Sequence, residues 1–500
     1  MKISKHISGL LFFLFSGAMF SQKANIFLEI DFWKTNPTIE TIEQKITEGN
    51  DITQLDSHAF DAVSYALIEK VDNKTVKYLL SKKGNGVNKL THDSRTYIFW
   101  AAYRGNLEVM QYLVHQGAKT DIIDSHGYSL LNFAATTGQL NTYLYDFCIA
   151  NGSKIKEEKN YDGANSLLLL VPHLKDIKLI DYFVSKGIDI KSTDNNGNGL
   201  FNYAVKKGNV ALLKQLVDLE IDYKTLNANK GNAMILASIG ARNHVNTIEV
   251  FKYLESIGIN PNITTTKGIT PLHSLAFSSN DLALFDYFIS KGVNINQANQ
   301  EGNTALLNAA YSNNIDIIKQ LQEHVNDINA VNKDGKSALT NAMYKNSIEV
   351  AKFLVEKGAD VTLKDKDGNS LMYYVLKNFN SENPKEFNEK ITLLTHKGLN
   401  VQEAQNKENN LFHIALEDAN NMDLLKRLYT MKINVNAKNK EGMSPLHKAV
   451  MKAENDVVLK YLISIGANRL AKTSFGETVY DLAKENELLS KNNIDINFLK

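Results

Sequence analysis

An Asp-x-Asp-Gly run at residues 365–368 is the stretch of this sequence that comes nearest to a metal-binding loop. In a calcium loop, carboxylates at alternating positions supply oxygen ligands, and a glycine permits the sharp turn between them. Here Leu363 stands where an earlier acidic ligand belongs, and Tyr374 stands where the final glutamate belongs. Two carboxylates are therefore missing, and the run is interpreted as a hairpin turn.

The other reactive side chains give no stronger sign of catalysis. The sequence contains no glycine-rich phosphate loop, no nucleophile elbow and no paired metal-binding histidines. Its single cysteine, Cys148, follows Tyr-Asp-Phe and precedes Ile-Ala, which predicts a small buried hydrophobe rather than a reactive thiol. We therefore predict no catalytic residue, no cofactor and no metal, and we expect that the protein is not an enzyme.

Composition narrows the class of partner. The 500 residues include 56 basic and 55 acidic side chains, and 43% of them are hydrophobic. A chain with this apolar content is not expected to be disordered. A nucleic-acid binder usually has a basic excess or a basic face, and the sequence has neither. We expect a protein partner, no nucleic acid, and a monomer.

A regular spacing of glycines shows how the chain is organised. Eight glycines recur at intervals of 33 to 37 residues, and two more resume the interval after a longer gap. They are Gly127, Gly163, Gly197, Gly231, Gly268, Gly302, Gly335 and Gly368, then Gly442 and Gly476. Such a period indicates a stack of similar units, each burying its apolar side against its neighbours. Asn409 fills the gap in this interpretation, because asparagine also tolerates a positive φ angle.

The unit that ends at Gly358 is the easiest to interpret. An Asp-Gly turn at 334–335 precedes Ser337, which is expected to cap a short first helix. Apolar residues at 348, 350, 353 and 354 have the spacing of a second helix. Gly358 then ends that helix. The unit is predicted to be a turn followed by two helices.

This unit resembles the ankyrin repeat. The family's Thr-Pro-Leu-His signature is present unaltered at residues 270–273 and nearly so at 444–447. Its Gly-Ala-Asp-Val ending is present at residues 358–361. The resemblance implies an all-α ankyrin-repeat solenoid of about a dozen helix-turn-helix units, joined by short turns like those of a β-hairpin.

The resemblance covers residues 55–473. Residues 22–54 are assigned to a cap-like N-terminal repeat and residues 474–500 to a C-terminal capping unit. At residues 1–21, Lys2 and Lys5 precede about ten apolar residues, a pattern typical of a secretory signal peptide. A buried N-terminal helix and an uncleaved membrane anchor are the alternatives. We expect an exported protein, periplasmic or secreted, with no membrane span once the leader is removed.

Three units depart from the repeat. Pro172 is expected to truncate the first helix of its unit. Two other units carry extra residues, at 240–246 and 378–389, and both insertions are expected between the two helices of their unit.

The resemblance also implies roles for single positions. His273, His413 and His447 occupy the histidine of the signature, which in this family is structural and bonds around the start of the first helix. Ankyrin-family proteins commonly contact partners with the turn tips and with the outward end of the first helix. Those are therefore the positions where partner-binding residues are expected.

Seven residues are predicted to bind a partner. Five stand two residues after the packed alanine of a first helix, or its equivalent, and two are apolar residues in turn tips. The five are Tyr103, Phe277, Tyr311, Tyr344 and Met451, and the two are Ile269 and Met443. Phe277, Tyr311 and Tyr344 fall in consecutive units, which predicts an aromatic ladder on the concave face with neighbours about 10 Å apart. The alternative is that these rings lie flat on the next repeat and serve packing.

We therefore expect a non-catalytic scaffold that binds a partner protein mainly through residues 268–345. One alternative is an accessory or small-ligand-binding protein, with a pocket near the inserted loops. That alternative predicts converging polar groups beside those loops. Another alternative is a structural spacer, which predicts no exposed aromatic patch.

Overall fold

The computed structural model describes residues 25–417 and 421–500, and these residues fold into α-helices and short 3-10 turns. Within these two ranges, β pairing is limited to isolated bridges such as Val331 with Ser337. No helix in the same part of the chain is long and apolar enough to cross a membrane. The all-α class is therefore confirmed, and the leader expected at residues 1–21 lies outside the described residues.

The chain divides into two compact units, of which the first includes residues 25–174 and 178–195. Its helices are α1 (Ile30–Lys34), α2 (Ile39–Thr47), α3 (Ala62–Ile68), α4 (Asn73–Leu80), α5 (Tyr97–Tyr103), α6 (Leu107–His115), α7 (Leu130–Thr136), α8 (Thr142–Ala150), α9 (Ser166–Leu170) and α10 (Lys178–Ser185). The first helices of successive repeats pack side by side, α3 on α5, α5 on α7 and α7 on α9.

The second unit includes residues 175–177 and the described residues from 196 onward. Its helices are α11 (Leu200–Ala204), α12 (Val210–Asp218), α13 (Ala233–Ile239), α14 (Ile248–Ser256), α15 (Pro271–Ser278), α16 (Leu282–Ser290), α17 (Ala305–Ser312), α18 (Ile315–Gln322), α19 (Ala338–Lys345), α20 (Ile348–Glu356), α21 (Leu371–Lys377), α22 (Pro384–His396), α23 (Leu411–Ala415), α24 (Met422–Thr430), α25 (Pro445–Lys452), α26 (Val457–Ser464), α27 (Val479–Glu485) and α28 (Glu487–Lys491). The odd-numbered helices from α11 to α27 again pack each on the next. Twelve pairs, from α3–α4 to α25–α26, agree with the predicted number of repeats.

Local sequence explains why one repeat takes this form. Gly335 adopts a φ angle of 77° in the turn, a conformation in which a side chain is unfavourable. The Ser337 hydroxyl then accepts a hydrogen bond from the backbone N–H of Thr340 at 3.2 Å, which caps the start of α19. Gly358, with φ of 94°, follows the end of α20. The turn, cap and stop expected from the sequence are confirmed here.

The assignment of Asn409 to the glycine position is wrong by one residue. The turn is closed by a hydrogen bond from the N–H of Gln405 to the carbonyl of Asn409, at 2.8 Å, whereas the residue that closes the Gly302 turn is Asn303. Asn409 therefore corresponds to Asn303 and has a φ of −67°. Glu408 stands in the glycine position, with φ of 59°. The assignment of Gly231 to the glycine position is wrong by one residue in the same way, because Lys230 has the positive φ angle, at 58°.

Asn409 has a different function, which explains why an asparagine stands there. Its side-chain oxygen accepts a hydrogen bond from the amide of Asn439 at 3.1 Å. Asn303 accepts the same bond from Asn332 at 2.9 Å. These amides therefore join one turn to the next.

The three irregular repeats depart from the regular unit in different ways. Pro172 shortens its first helix as expected, because α9 has five residues and continues as a 3-10 turn. The insertion at 240–246 connects α13 to α14 and contains a single bridge between Ala241 and His244. The insertion at 378–389 does not lie wholly between helices, because Pro384 begins α22 and the insertion supplies its first turns.

Candidate functional site

Three first helices of the second unit present an aromatic ring at the same place. Phe277, Tyr311 and Tyr344 are each the last residue but one of α15, α17 and α19. Phe277 is 52% exposed and Tyr311 37% exposed, while Tyr344 is half-buried. The predicted repetition of position is therefore present, and two of the three rings are open to a partner.

The rings contact one another edge to face. The centroids of Phe277 and Tyr311 are 6.5 Å apart with an interplanar angle of 72°. Those of Tyr311 and Tyr344 are 6.3 Å apart at 64°. These distances are shorter than the expected 10 Å, so each ring contacts the ring of the next repeat. Edge-to-face contacts of this kind are favourable, so the rings support each other while leaving surface exposed.

A fourth ring, which the sequence did not predict, continues the series. The ring of Tyr374 in α21 lies 6.0 Å from that of Tyr344, again edge to face at 73°. Its hydroxyl donates to a carboxylate oxygen of Asp365 at 2.6 Å. Burial and the Asp365 carboxylate raise the pKa of Tyr374, so its phenol stays protonated. We call Phe277, Tyr311, Tyr344 and Tyr374 the aromatic row.

Hydrogen bonds hold the helices that carry the aromatic row. The Asn308 amide of α17 donates to the carbonyl of His273 in α15 at 3.0 Å. The Asn341 amide of α19 donates to the carbonyl of Leu307 in α17 at 2.9 Å. Because these bonds are buried or half-buried and join successive first helices, the rings are positioned before any partner arrives, which reduces the ordering cost of binding.

The aromatic row ends in a groove of about 460 Å³, which we call the tyrosine groove. It is lined by Asp334, Lys336, Tyr344, Asp365, Lys366, Asp367, Asn369, Tyr373, Tyr374 and Lys377. It is therefore bounded by two hairpin turns and by the outward ends of α19 and α21. Its lining is polar and charged around three tyrosine rings.

Lysine ammonium groups lie over these tyrosines. The Nζ of Lys345 is 4.6 Å from the centroid of Tyr344, and the Nζ of Lys336 is 6.0 Å from that of Tyr374. Cations at such distances are attracted to the ring face. These ring faces are thus occupied by cations of the same chain, and because Tyr374 is buried, Tyr344 is the ring of this pair that a partner could reach.

The carboxylates of the tyrosine groove are held within the chain. A carboxylate oxygen of Asp334 lies 2.5 Å from the Nζ of Lys366, and this pair joins neighbouring turns. Asp365 accepts backbone N–H groups of Asp367 and Asn369 at 3.0 and 2.8 Å, in addition to the hydroxyl described above. The run at 365–368 is a hairpin turn, as the sequence indicated. Among the described residues, no cluster of three or more histidine, cysteine or acidic side chains could hold a metal ion.

The other predicted partner-binding residues lie apart from the aromatic row. Tyr103 belongs to the first unit, where its ring lies 6.4 Å from Trp100 and 6.3 Å from Phe133. Arg104 lies over the same ring at 4.7 Å. Tyr103 is thus half-buried in a local aromatic cluster of its own.

Three apolar residues complete the predicted set. Met451 is 51% exposed and is the last residue but one of α25, so it repeats the position of Phe277 without a neighbouring ring from the row. Ile269 and Met443 are half-buried in their turns. The Met443 carbonyl accepts a hydrogen bond from Nε2 of His413 at 2.9 Å, so part of this residue serves the turn itself.

The signature histidines join successive repeats. Nδ1 of His273 accepts the backbone N–H of Thr270 at 3.1 Å, and its Nε2 donates to the carbonyl of Asn303 in the next repeat at 3.0 Å. Burial lowers the pKa of His273 and His447, and lowers that of His413 to about 4. The imidazoles are therefore neutral near pH 7 and engaged in structural bonds. This is the role that the family resemblance implies.

Cys148 is fully buried in α8. Burial raises the pKa of its thiol to about 12, so the thiolate is scarce near pH 7. The prediction of a buried, unreactive cysteine is confirmed.

The two inserted loops do not form a common pocket wall, since three repeats lie between α13–α14 and α21–α22. The insertion at 378–389 lines a cavity of about 180 Å³ together with Met343, Val375 and Lys390. Polar groups do converge there, including Asn378, Asn380, Asn383 and Glu386. The Lys390 ammonium among them already donates to backbone carbonyls of α19 and of the residue that follows it.

Tyr374 escaped the sequence prediction because of its spacing. It follows Tyr344 by 30 residues rather than 33, so it does not occupy the position two residues after an alanine. The residue in that position is Lys377. A search that allowed one helical turn of variation would have found Tyr374, because residues three or four apart share a helix face.

Comparison with known proteins gives the same picture for most of the chain. Sequence profiles described as ankyrin repeats in three copies match residues 63–154, 239–330 and 272–365. A profile described as ankyrin repeats in many copies matches residues 411–463.

Two curated relatives are similar over 201 residues, or 40% of this chain. They are the palmitoyltransferase AKR1 of Lachancea kluyveri, at 21% identity, and the putative palmitoyltransferase ZDHHC13 of Danio rerio, at 24%. The matched stretch spans 27% and 30% of the length of these relatives. The human ASB11 ankyrin repeat domain, a crystal structure, shares 22% identity; the match covers 45% of this chain and 97% of that one, with a TM-score of 0.38.

Proposed function

Because the chain belongs to the ankyrin repeat family, we propose that it is a scaffold that binds a partner protein through the aromatic row. The observation that carries this proposal is the continuous contact of four rings, three of them at the outward ends of α15, α17 and α19 and the fourth, Tyr374, buried in the middle of α21. Aromatic residues are enriched among the anchors of protein interfaces. The row joins the tyrosine groove, which offers a polar rim beside an apolar strip.

The exposure of the aromatic rings favours a binding scaffold over a structural spacer. Phe277 leaves half of its surface in contact with solvent, and burying an exposed aromatic ring on docking is favourable. A spacer has no need for adjacent exposed rings at this position in successive repeats. The preformed arrangement also suits rigid docking, in which little conformational entropy is lost.

Catalysis has no support from the described residues that the sequence singled out. The signature histidines bond to turns, and Cys148 is buried with a raised thiol pKa. The two curated relatives are named as palmitoyltransferases, but this chain matches less than a third of their length. We therefore propose a non-catalytic role for these repeats. Of the alternatives, a pocket at the 378–389 insertion is less favoured because the ammonium that lines it is already bonded.

Substitution of the row tests the proposal. A photoreactive amino acid at Ser278, which is exposed beside Phe277, identifies the bound protein, and its affinity is then measured with both components purified. We expect Phe277→Ala, Tyr311→Ala and Tyr344→Ala together to weaken binding by about a hundredfold or more.

The matched control replaces three exposed tyrosines outside the row, Tyr143, Tyr161 and Tyr429, by alanine. This control is expected to bind as the parent protein does. If both triple variants bind with the parent affinity while their circular dichroism is unchanged, the aromatic row is not the interface.

We also propose that the protein is exported by the leader at residues 1–21. The basic and apolar pattern of those residues supports this proposal. The mass of the protein recovered from a bacterial periplasm is expected to lack the leader. Recovery of full-length protein from the cytoplasm alone would contradict export.

A further inference from the structure

Three repeats of the second unit share a hydrogen-bonding device that acts on the end of the preceding first helix. In the repeat of α17, the Asn313 amide donates to the carbonyls of Ala276 and Ser279, at 2.9 and 2.8 Å. Both carbonyls belong to the end of the preceding first helix, α15. A helix leaves the carbonyls at its C-terminus without hydrogen-bond partners, and the Asn313 amide supplies a donor to two of them.

The device recurs at the same place in other repeats. The Asn346 amide donates to the carbonyls of Ala310 and Asn313, at 3.2 and 2.8 Å. The Asn486 amide donates to the carbonyls of Val450 and Ala453, both at 2.8 Å. In each repeat the two carbonyls are three residues apart, and the asparagine stands just before, or at, the start of the second helix.

In the repeat of α21 and α22, a lysine replaces this asparagine. The Nζ of Lys390 donates to the carbonyls of Met343 and Asn346, at 3.2 and 2.6 Å. These two carbonyls correspond to those of Ala310 and Asn313 one repeat earlier. The replacement is possible because the insertion lengthens α22, which places Lys390 on its second turn.

The ammonium is fully satisfied in this position. Glu386, one helical turn earlier, supplies a carboxylate oxygen at 3.2 Å, so the three N–H donors of Lys390 have three acceptors. Lys390 is only 3% exposed, and a buried ammonium is unfavourable unless it is paired and hydrogen-bonded. The dipole of α19 also favours a positive charge at the C-terminus of that helix, where the Lys390 ammonium lies.

The two carbonyls that Lys390 binds flank Tyr344 of the aromatic row. Met343 precedes this tyrosine, and Asn346 follows it by two residues. The insertion also contacts Lys345, the residue after Tyr344, because the Lys345 ammonium donates to the side-chain oxygen of Asn378 at 3.2 Å. The last turn of α19 is therefore held from outside its own repeat by two contacts with residues 378–390.

We infer that Lys390 is a positioning residue that fixes the last turn of α19 and, through it, Tyr344 in the aromatic row. The inserted residues thus have a purpose at the site, because they bring a long donor side chain to carbonyls that asparagine serves elsewhere. The consequence for binding rests on the proposed function, whereas the positioning itself is measured without any partner.

Amide hydrogen exchange in the full chain tests this inference. Lys390→Met keeps the length of the side chain but removes its donors, and Lys390→Arg keeps donors and charge. Lys385→Met, on an exposed position of the same helix, is the matched control. The last turn of α25, whose carbonyls are capped by Asn486 without any contact to Lys390, is the internal reference.

We expect Lys390→Met to accelerate exchange in residues 343–346 by about tenfold or more while the last turn of α25 is unchanged. Lys390→Arg is expected to restore most of the protection, and Lys385→Met to leave it unaltered. Fluorine NMR of fluorotyrosine at position 344 is expected to shift and broaden in Lys390→Met alone. Equal acceleration in α25 and α19, or no acceleration in either, would overturn the positioning role, whatever the outcome of the partner experiments.

Discussion

The regular repeats from α15 to α20 and the irregular region from α21 to α24 use the same bonds but with different residues. In the regular repeats, glycine turns, asparagine amides and short loops follow one another in period. In the irregular region, Glu408 takes a glycine position and Lys390 takes an asparagine position. The bonding positions are therefore the same in the two regions, while the residue types that fill them differ.

The aromatic row crosses the boundary between these two regions. Phe277, Tyr311 and Tyr344 come from the regular repeats, and Tyr374 comes from the irregular one. The insertion that disturbs the period also holds the end of α19. One of the irregular repeats of this chain therefore lies where the proposed surface ends.

The largest expected effect concerns acid and reaches both regions, because burial lowers the pKa of His273 in α15 as well as that of His413 in α23. Burial lowers the pKa of His413 to about 4 from the ordinary 6.5, so only the unfolded chain takes up this proton between those values. The contribution to stability is fully present above about pH 6.5 and is lost as the pH falls toward 4. The loss is about 3 kcal/mol for the region around α23.

Histidine NMR titration measures the pKa of His413 directly, and urea unfolding at several pH values measures the stability. His413→Gln is expected to be less stable at pH 7.5 but to lose less stability on acidification. A measured pKa of 6 or above for His413, or parallel acid curves for the two proteins, would contradict this source of acid sensitivity.

A smaller difference in stability is expected between alanine variants of two turn glycines. A Cβ at Gly335 would lie 2.7 Å from the backbone nitrogen of Lys366, whereas one at Gly368 would meet nothing within 4 Å. Both glycines have positive φ, which costs alanine about 1 kcal/mol. Gly335→Ala must also push the next turn away, so we expect a further loss of about 2 kcal/mol.

Urea unfolding of the two alanine variants measures this difference, and exchange of the Lys366 amide reports it locally, since that amide donates to the Asp334 carbonyl at 2.8 Å. Equal losses in both variants would mean that the regular turns are no more tightly stacked than the irregular ones.

Much of this architecture follows from sequence because it depends on local chemistry. The turn at Gly335, the cap at Ser337 and the stop at Gly358 each rest on one residue's conformational preference. The periodic placement of Phe277, Tyr311 and Tyr344 follows from the repeat alone. Positions that keep the period were therefore predictable.

The remaining features depend on contacts between repeats. Asn409 suggested a positive φ, but its side chain serves the neighbouring turn, and the strained backbone falls on Glu408. Lys390 is an ordinary lysine in sequence, and only the lengthened α22 places it against α19. Tyr374 joins the row because α21 presents it one turn earlier than the period requires.

The central claim is that the aromatic row is the surface that binds the partner. Hydrogen–deuterium exchange of the full chain, with and without the purified partner, tests it most directly. We expect the partner to protect the outward ends of α15, α17 and α19, while the second helices α16, α18 and α20 keep their exchange rates. Protection confined to those second helices, or to regions outside the row, would contradict the claim.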